Sequence, residues 1–190
     1  MVSNLMCTGM RKLISLLFLS IGMVCSGWAA APTFEIPTVK HYATADECRA
    51  DNDMAKQVVN YYFTTSLPDD RTYAKSALSF LMSWVESSDE ILVGISDQCM
   101  SPFLSCNMDA SIIFMGTYIC GCVKYNREVK TSYEYTFDMH YYAMVETLRY
   151  YERNRDFLGK CKKLDKMLKS LKKDRLRSEL ERTFSVPEKK

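Results

Sequence analysis

Three patterns in this chain predict an all-α single domain, a bundle of about five helices. Apolar residues spaced three and four apart run from Tyr73 to Val85. Met108 to Tyr125 is apolar almost all round. A leucine series (Leu158, Leu164, Leu168, Leu171, Leu176, Leu180) recurs at helical spacing among basic residues. A helix without a polar face belongs in the middle of a bundle, so 108–125 is expected at the centre.

Residues 1–29 read as a signal peptide. Arg11-Lys12 precedes an apolar run from Leu13 to Cys25, and small residues follow it. The run is about 13 residues long, short of the roughly 20 that span a bilayer as a helix. Gly27 and Ala29 fit a peptidase that requires small residues at the last and third-last positions, so cleavage is expected between Ala29 and Ala30. Cys25 raises a lipoprotein alternative, but Gly22-Met23-Val24 lacks the usual residues before it. Met10 stands directly before Arg11 and offers a second start of translation.

Residues 30–43 read as an extended leader with Pro32 and Pro37. A helical domain is expected over 44–184 and a disordered tail over 185–190. Thr44-Ala45-Asp46-Glu47 matches a capping box and opens a helix from about 45 to 64. Polar Asp51 to Asp53 weaken its middle. Leu67-Pro68-Asp69-Asp70 forms a turn, and the Tyr73 to Val85 stripe gives a helix from about 70 to 87. Ile91 to Ile95 is β-branched and reads as one short extended segment. Residues 96–106 look irregular, with Pro102 inside. Asn107 caps the next helix. Gly116 and Gly121 each cost about 1 kcal/mol there against Ala, which is tolerable where neighbouring helices come close. A helix from about 131 to 153 follows and stops at Asn154 to Asp156. The leucine series then forms one long helix or two short ones.

The presumed mature part carries equal numbers of basic and acidic side chains, which gives no overall pull toward nucleic acid. Its ends differ. Residues 149–190 hold 15 Lys and Arg against 7 Asp and Glu, and residues 30–148 hold 8 against 16. The two parts attract each other on folding, or the basic segment meets an anionic partner or membrane. Six cysteines survive cleavage, and export permits disulfides. Cys99 and Cys106 share one expected loop and are the first candidate pair. Cys120 and Cys122 lie two apart on a helix and point to different faces, so they read as small buried residues.

No motif carries catalysis, and no cofactor or metal is expected. The only histidines are His41 and His140, and HExxH and paired CxxC are both absent. A thiol–imidazole pair with His140 has no support at local spacing. Glu86, Asp89 and Glu90 near Trp84 offer carboxylates beside an aromatic platform, as a small exported hydrolase acting on a glycan or envelope polymer would use. One helix bearing several tyrosines cannot bury all their hydroxyls cheaply. Trp84, Tyr135, Tyr142, Tyr150 and Tyr151 are therefore the candidate binding residues.

The order of Phe80-Leu81-Met82-Ser83-Trp84-Val85, Ser87 to Val93, Phe114-Met115-Gly116-Thr117-Tyr118, Leu148-Arg149-Tyr150-Tyr151 and the Lys-rich leucine tail resembles small secreted helical proteins of Bacteroidota bacteria. The likeness covers about residues 70–182. It implies an exported location and an all-helical fold, and it carries no catalytic residues. Phe114 to Tyr118 also resembles the first helix of a tetratricopeptide unit, without a repeat to match. The expected role is a non-catalytic interaction or structural module of the periplasm or cell envelope. Its expected partner is another envelope protein or polymer.

Overall fold

A computed structural model describes residues 35–37, 41–68, 71–95 and 97–184. The signal peptide, its cleavage site, much of the leader and the 185–190 tail lie outside these residues. Among the described residues the chain forms eight α-helices and no strand: α1 Ala45–Ala50, α2 Asn52–Thr64, α3 Arg71–Ser87, α4 Asp97–Leu104, α5 Met108–Glu128, α6 Phe137–Leu158, α7 Lys162–Leu171 and α8 Leu176–Glu181. The all-α single-domain bundle stands, and five of the helices have ten residues or more.

α5 is the centre, packed by α2, α3, α4 and α6. Phe114, Tyr118, Cys120, Cys122 and Val123 are fully buried along it. α5 and α6 run antiparallel. Asn107 meets Leu158 at one end, and Tyr125 meets Tyr142 at the other. Asn107 serves both helices there. Its Oδ1 accepts from the Ala110 amide at 2.9 Å, and its Nδ2 donates to the Leu158 carbonyl at 3.0 Å. One side chain thus satisfies an N-terminal donor of α5 and a C-terminal acceptor of α6.

The two glycines of α5 mark close approaches. A Cβ on Gly121 would lie 2.7 Å from Ala143 Cα, and one on Gly116 would lie 2.7 Å from Leu78 Cδ1. Gly121 therefore sets the α5–α6 distance against backbone, and Gly116 receives a side chain of α3.

Several expectations need correction. The 45–64 helix is two helices, broken at Asp51 (φ −96°, ψ 11°), whose carboxylate accepts from the Tyr42 hydroxyl at 2.9 Å. The Thr44 cap is present, and Glu47 reaches back to the Ala43 amide. Residues 91–95 form no strand. Ile91 is buried, and Asn126 holds the loop by donating to the Glu90 and Ser132 carbonyls, both at 3.0 Å. The stretch expected to be irregular contains α4 despite Pro102. Fully buried Phe103 packs α4 on Phe114 and Tyr118, so tertiary burial outweighs the proline. α6 begins at a Thr136 cap and passes Asn154 to end at Gly159, φ 82°. Asn154 does not stop it because its side chain is buried, accepting from the Leu67 amide at 2.7 Å and donating to the Tyr150 carbonyl at 3.0 Å. For the leucine tail the expected alternative of two short helices holds: α7 and α8, parted at Asp174, φ 54°.

Gly121→Ala should lower stability by about 2 kcal/mol through overpacking, despite a helix-propensity gain of about 1 kcal/mol. Gly116→Ala should cost less, because the Leu78 side chain can turn away. Denaturant midpoints of the two variants check this, and equal midpoints would contradict it.

Candidate functional site

The candidate binding residues do not form a surface. Trp84 and Tyr151 are fully buried, and Tyr150 and Tyr135 are 1% and 4% exposed. Only Tyr142 is half-buried, with its hydroxyl 3.5 Å from Glu128. The Tyr135 and Tyr151 hydroxyls find partners inside, which the count of tyrosines alone does not reveal, whereas the buried Tyr150 hydroxyl and Trp84 Nε1 have no hydrogen-bond partner among the described residues. Tyr151 donates to Asp165 at 2.8 Å and accepts from the Cys161 amide at 3.0 Å. Tyr150 stacks on Tyr62 with ring centroids 5.0 Å apart. Trp84 offers no open platform, since the Arg127 guanidinium lies 5.2 Å over its ring. The neighbouring acids are spread out. Glu90 pairs with Arg127 at 2.6 Å and accepts from Asn52 at 3.0 Å, Asp89 pairs with Arg49, and Glu86 stands exposed.

The disulfide also differs from expectation. Cys106 bonds Cys161, across 55 residues, and Cys99 stays outside any disulfide. Asn107 draws the start of α5 to the end of α6, and that junction brings Cys106 and Cys161 together. Cys48, Cys99, Cys120 and Cys122 are buried thiols.

Cys99 instead joins a buried cluster that local spacing could not show. Its Sγ lies 3.2 Å from the Tyr135 hydroxyl and 3.7 Å from His140 Nδ1. The Tyr118 hydroxyl lies 2.7 Å from the same nitrogen and 2.6 Å from the Tyr135 hydroxyl. With Nδ1 as acceptor, one directed chain satisfies all four groups: the Cys99 thiol donates to Tyr135, Tyr135 to Tyr118, and Tyr118 to His140. Burial holds the Tyr118 and Tyr135 phenols well above their ordinary range. Phe184 lies 5.4 Å from the imidazole and 5.7 Å from Tyr135, and Phe137 lies 6.4 Å from the imidazole. With all four members buried beneath these rings, the cluster works as a satisfied internal network. Among the described residues no three His, Cys, Asp or Glu side chains are grouped to hold a metal ion.

The basic C-terminal segment packs rather than projects. α7 turns Leu164 and Leu168 into the bundle and leaves Lys162, Lys163, Lys166 and Lys169 exposed. No described helix is long and apolar enough to cross a membrane.

The open feature is a groove between the N-terminal turns of α3 and α5. The two helices meet where Leu78 presses on Gly116 and part toward Arg71 and Met108, leaving adjoining cavities of about 630 and 500 Å³. Leu67, Ala74, Leu78 and Ile113 line it, with Phe157 of α6 at the junction of the two cavities. Met108, Ile112 and Phe157 are 79%, 58% and 45% exposed there. Arg71 stacks 5.5 Å over Phe157, Lys75 shares its rim, and Asp109 lies on the α5 side. The sequence signal for this face was the spacing of Met108 and Ile112, which reads as core in a helix apolar all round.

Two outcomes follow from these contacts. Closing a 55-residue loop stabilises by about 4 kcal/mol on a chain-entropy model. Reductant should therefore lower the unfolding midpoint of the wild type and of Cys99→Ser, but not of Cys106→Ser/Cys161→Ser. Loss of reductant sensitivity in Cys99→Ser would refute the pairing. Burial pushes the Tyr150 phenol up to about 12 and the Cys48 thiol up to about 11, from ordinary values of 10.0 and 9.0. Both groups are protonated in either state below about pH 8, so their contribution is intact there. It drains as pH rises toward 12, because the unfolded chain releases these protons first. Denaturant midpoints should fall across that window, and less steeply in Tyr150→Phe. Parallel slopes would count against it.

No family model, curated protein or solved structure matches this chain.

Proposed function

We propose that this protein is an exported, non-catalytic interaction module of the periplasm or cell envelope, cleaved between Ala29 and Ala30. The observation that carries the reading is the apolar groove. Protein surfaces seldom leave large apolar side chains together in the open, and such patches mark contact sites. Met108, Ile112 and Phe157 stand together at one end of a bundle in which Tyr118, Tyr135, Tyr150 and Tyr151 are turned inward. The Cys106–Cys161 disulfide supports export, because such bonds persist in oxidising compartments.

The antiparallel α5–α6 hairpin is the scaffold of this surface. In this reading it plays the part that a tetratricopeptide hairpin plays, holding one helix edge rigid for a partner. The likeness to secreted helical proteins of Bacteroidota belongs to the same proposal. The closed Cys99–His140 network and the dispersed acids around Trp84 favour binding over hydrolysis as the role.

A photo-crosslinking residue at position 112, in the chain expressed with its leader, tests this. A discrete protein adduct is expected at 112 and not at Val129, an exposed position at the other end of α5. The processed N-terminus should be Ala30 by mass. Equal adducts at both positions, or none at either, would remove the reading.

A further inference from the structure

We infer that the groove receives a second copy of this chain, docked about a two-fold axis with a ridge of each copy in the groove of the other. This rests on the interaction-module reading and names the partner of the same site.

Shape is the first argument. Met108 and Ile112 are four residues apart on α5 and form one ridge, 79% and 58% exposed. The groove between α3 and α5 opens directly beside that ridge. A ridge next to a groove on one face is self-complementary. A two-fold axis through that face lays each ridge into the other copy's groove, the closed arrangement that most homo-oligomers use.

Charge is the second argument. Arg71 and Lys75 stand on the α3 rim and Asp109 on the α5 rim. Exposed Arg49, Arg149, Lys172 and Arg177 each find a carboxylate. Among the described residues Arg71, Lys75 and Asp109 form no ion pair with one another or with a neighbour. The same two-fold sets the basic rim of one copy opposite the acidic rim of the other, and does so twice. An occupant of a single sign would satisfy one rim and be repelled by the other.

Area is the third. Met108, Ile112 and Phe157 together expose roughly 350 Å² of side chain, at about 200 Å² for each large residue when fully exposed. A stable dimer buries about 800 Å² per partner with an apolar centre and a polar rim. The three side chains supply such a centre. A small ligand is buried over most of its surface in its pocket. This groove stays open along the ridge, so it cannot enclose one in that way.

Sedimentation equilibrium of the purified protein should show a reversible dimer in the micromolar range. Ile112→Asp should be monomeric and, at concentrations below the dimer Kd, should keep the wild-type unfolding midpoint, because Ile112 lies outside the core. Arg71→Glu/Lys75→Glu and Asp109→Lys should each weaken self-association tenfold or more, through like-charge contacts. Mixed one to one, these two charge variants should associate with each other nearly as tightly as the wild type, since both reversed rims then meet complementary ones. A wild type that stays monomeric would overturn the proposal, as would an Ile112→Asp dimer of unchanged affinity. A mixture no tighter than its components would do the same. If the crosslink at position 112 captures a different protein, the interaction-module reading stands and this inference fails. If position 112 captures nothing, the reading itself fails.

Discussion

At Gly121 the backbone of α5 meets that of α6, with no room for a methyl group between Gly121 and the Ala143 Cα. The other contacts follow from that distance. At it, Tyr118 reaches across to His140 on α6 at 2.7 Å. The same pairing lets Phe114 meet Tyr151 edge to face, 5.6 Å between ring centres. It also puts Asn107 within hydrogen-bonding distance of the last carbonyl of α6. Closing that end brings Cys106 to Cys161 and fixes where α7 begins. A bundle with a wider α5–α6 spacing would lose the buried hydrogen bonds before it lost its helices.

Those hydrogen bonds help a chain with twelve tyrosines bury six of them. A buried hydroxyl without a partner costs about 1–3 kcal/mol, whereas a paired one is close to neutral or favourable. Tyr118, Tyr135 and Tyr151 are each paired, and Tyr62 shares a 2.7 Å hydrogen bond with Thr117. The rings then contribute their large apolar area to the core at little polar cost. The tyrosines of α6 are therefore mixed: Tyr151 is buried and paired, Tyr150 is buried with no hydrogen-bond partner among the described residues, and Tyr141 and Tyr142 are half-buried, while the exposed apolar face is built of Met, Ile and Phe.

What the sequence made legible follows from the range of each signal. The Tyr73 to Val85 stripe and the all-round apolar run of α5 are local periodicities, and both became helices at nearly the expected bounds. The Thr44 and Asn107 caps are local too, and both are present. The break at Asp51 is local, but the other failures are long-range. α4 forms because Phe103 is buried against α5, a contact absent from its own eight residues. α6 runs past Asn154 because the Leu67 amide, 87 residues earlier, occupies that side chain. Cys106 chose Cys161 over the nearer Cys99 because the α5–α6 junction, not chain proximity, sets which sulfurs meet. The exposed ridge stayed hidden for a related reason. All-round apolarity says that a helix is central, but not that its first turns outrun its neighbours.

The contrast between the acidic and basic parts of the chain is only partly spent inside the fold. Arg177 pairs with Asp138 at 2.5 Å and Arg149 with Glu146 at 2.8 Å, each linking one part to the other. Arg155–Asp165 and Lys172–Glu152 lie within the basic part. Arg71, Lys75 and Asp109 all belong to the acidic part, form no ion pair among the described residues, and stand beside apolar side chains that no described helix covers. Leu78 fills the space that Gly116 leaves on α5 and also lines the groove, so the contact that packs α3 on the core borders the open face. A substitution at the Leu78–Gly116 contact would alter packing and groove shape together.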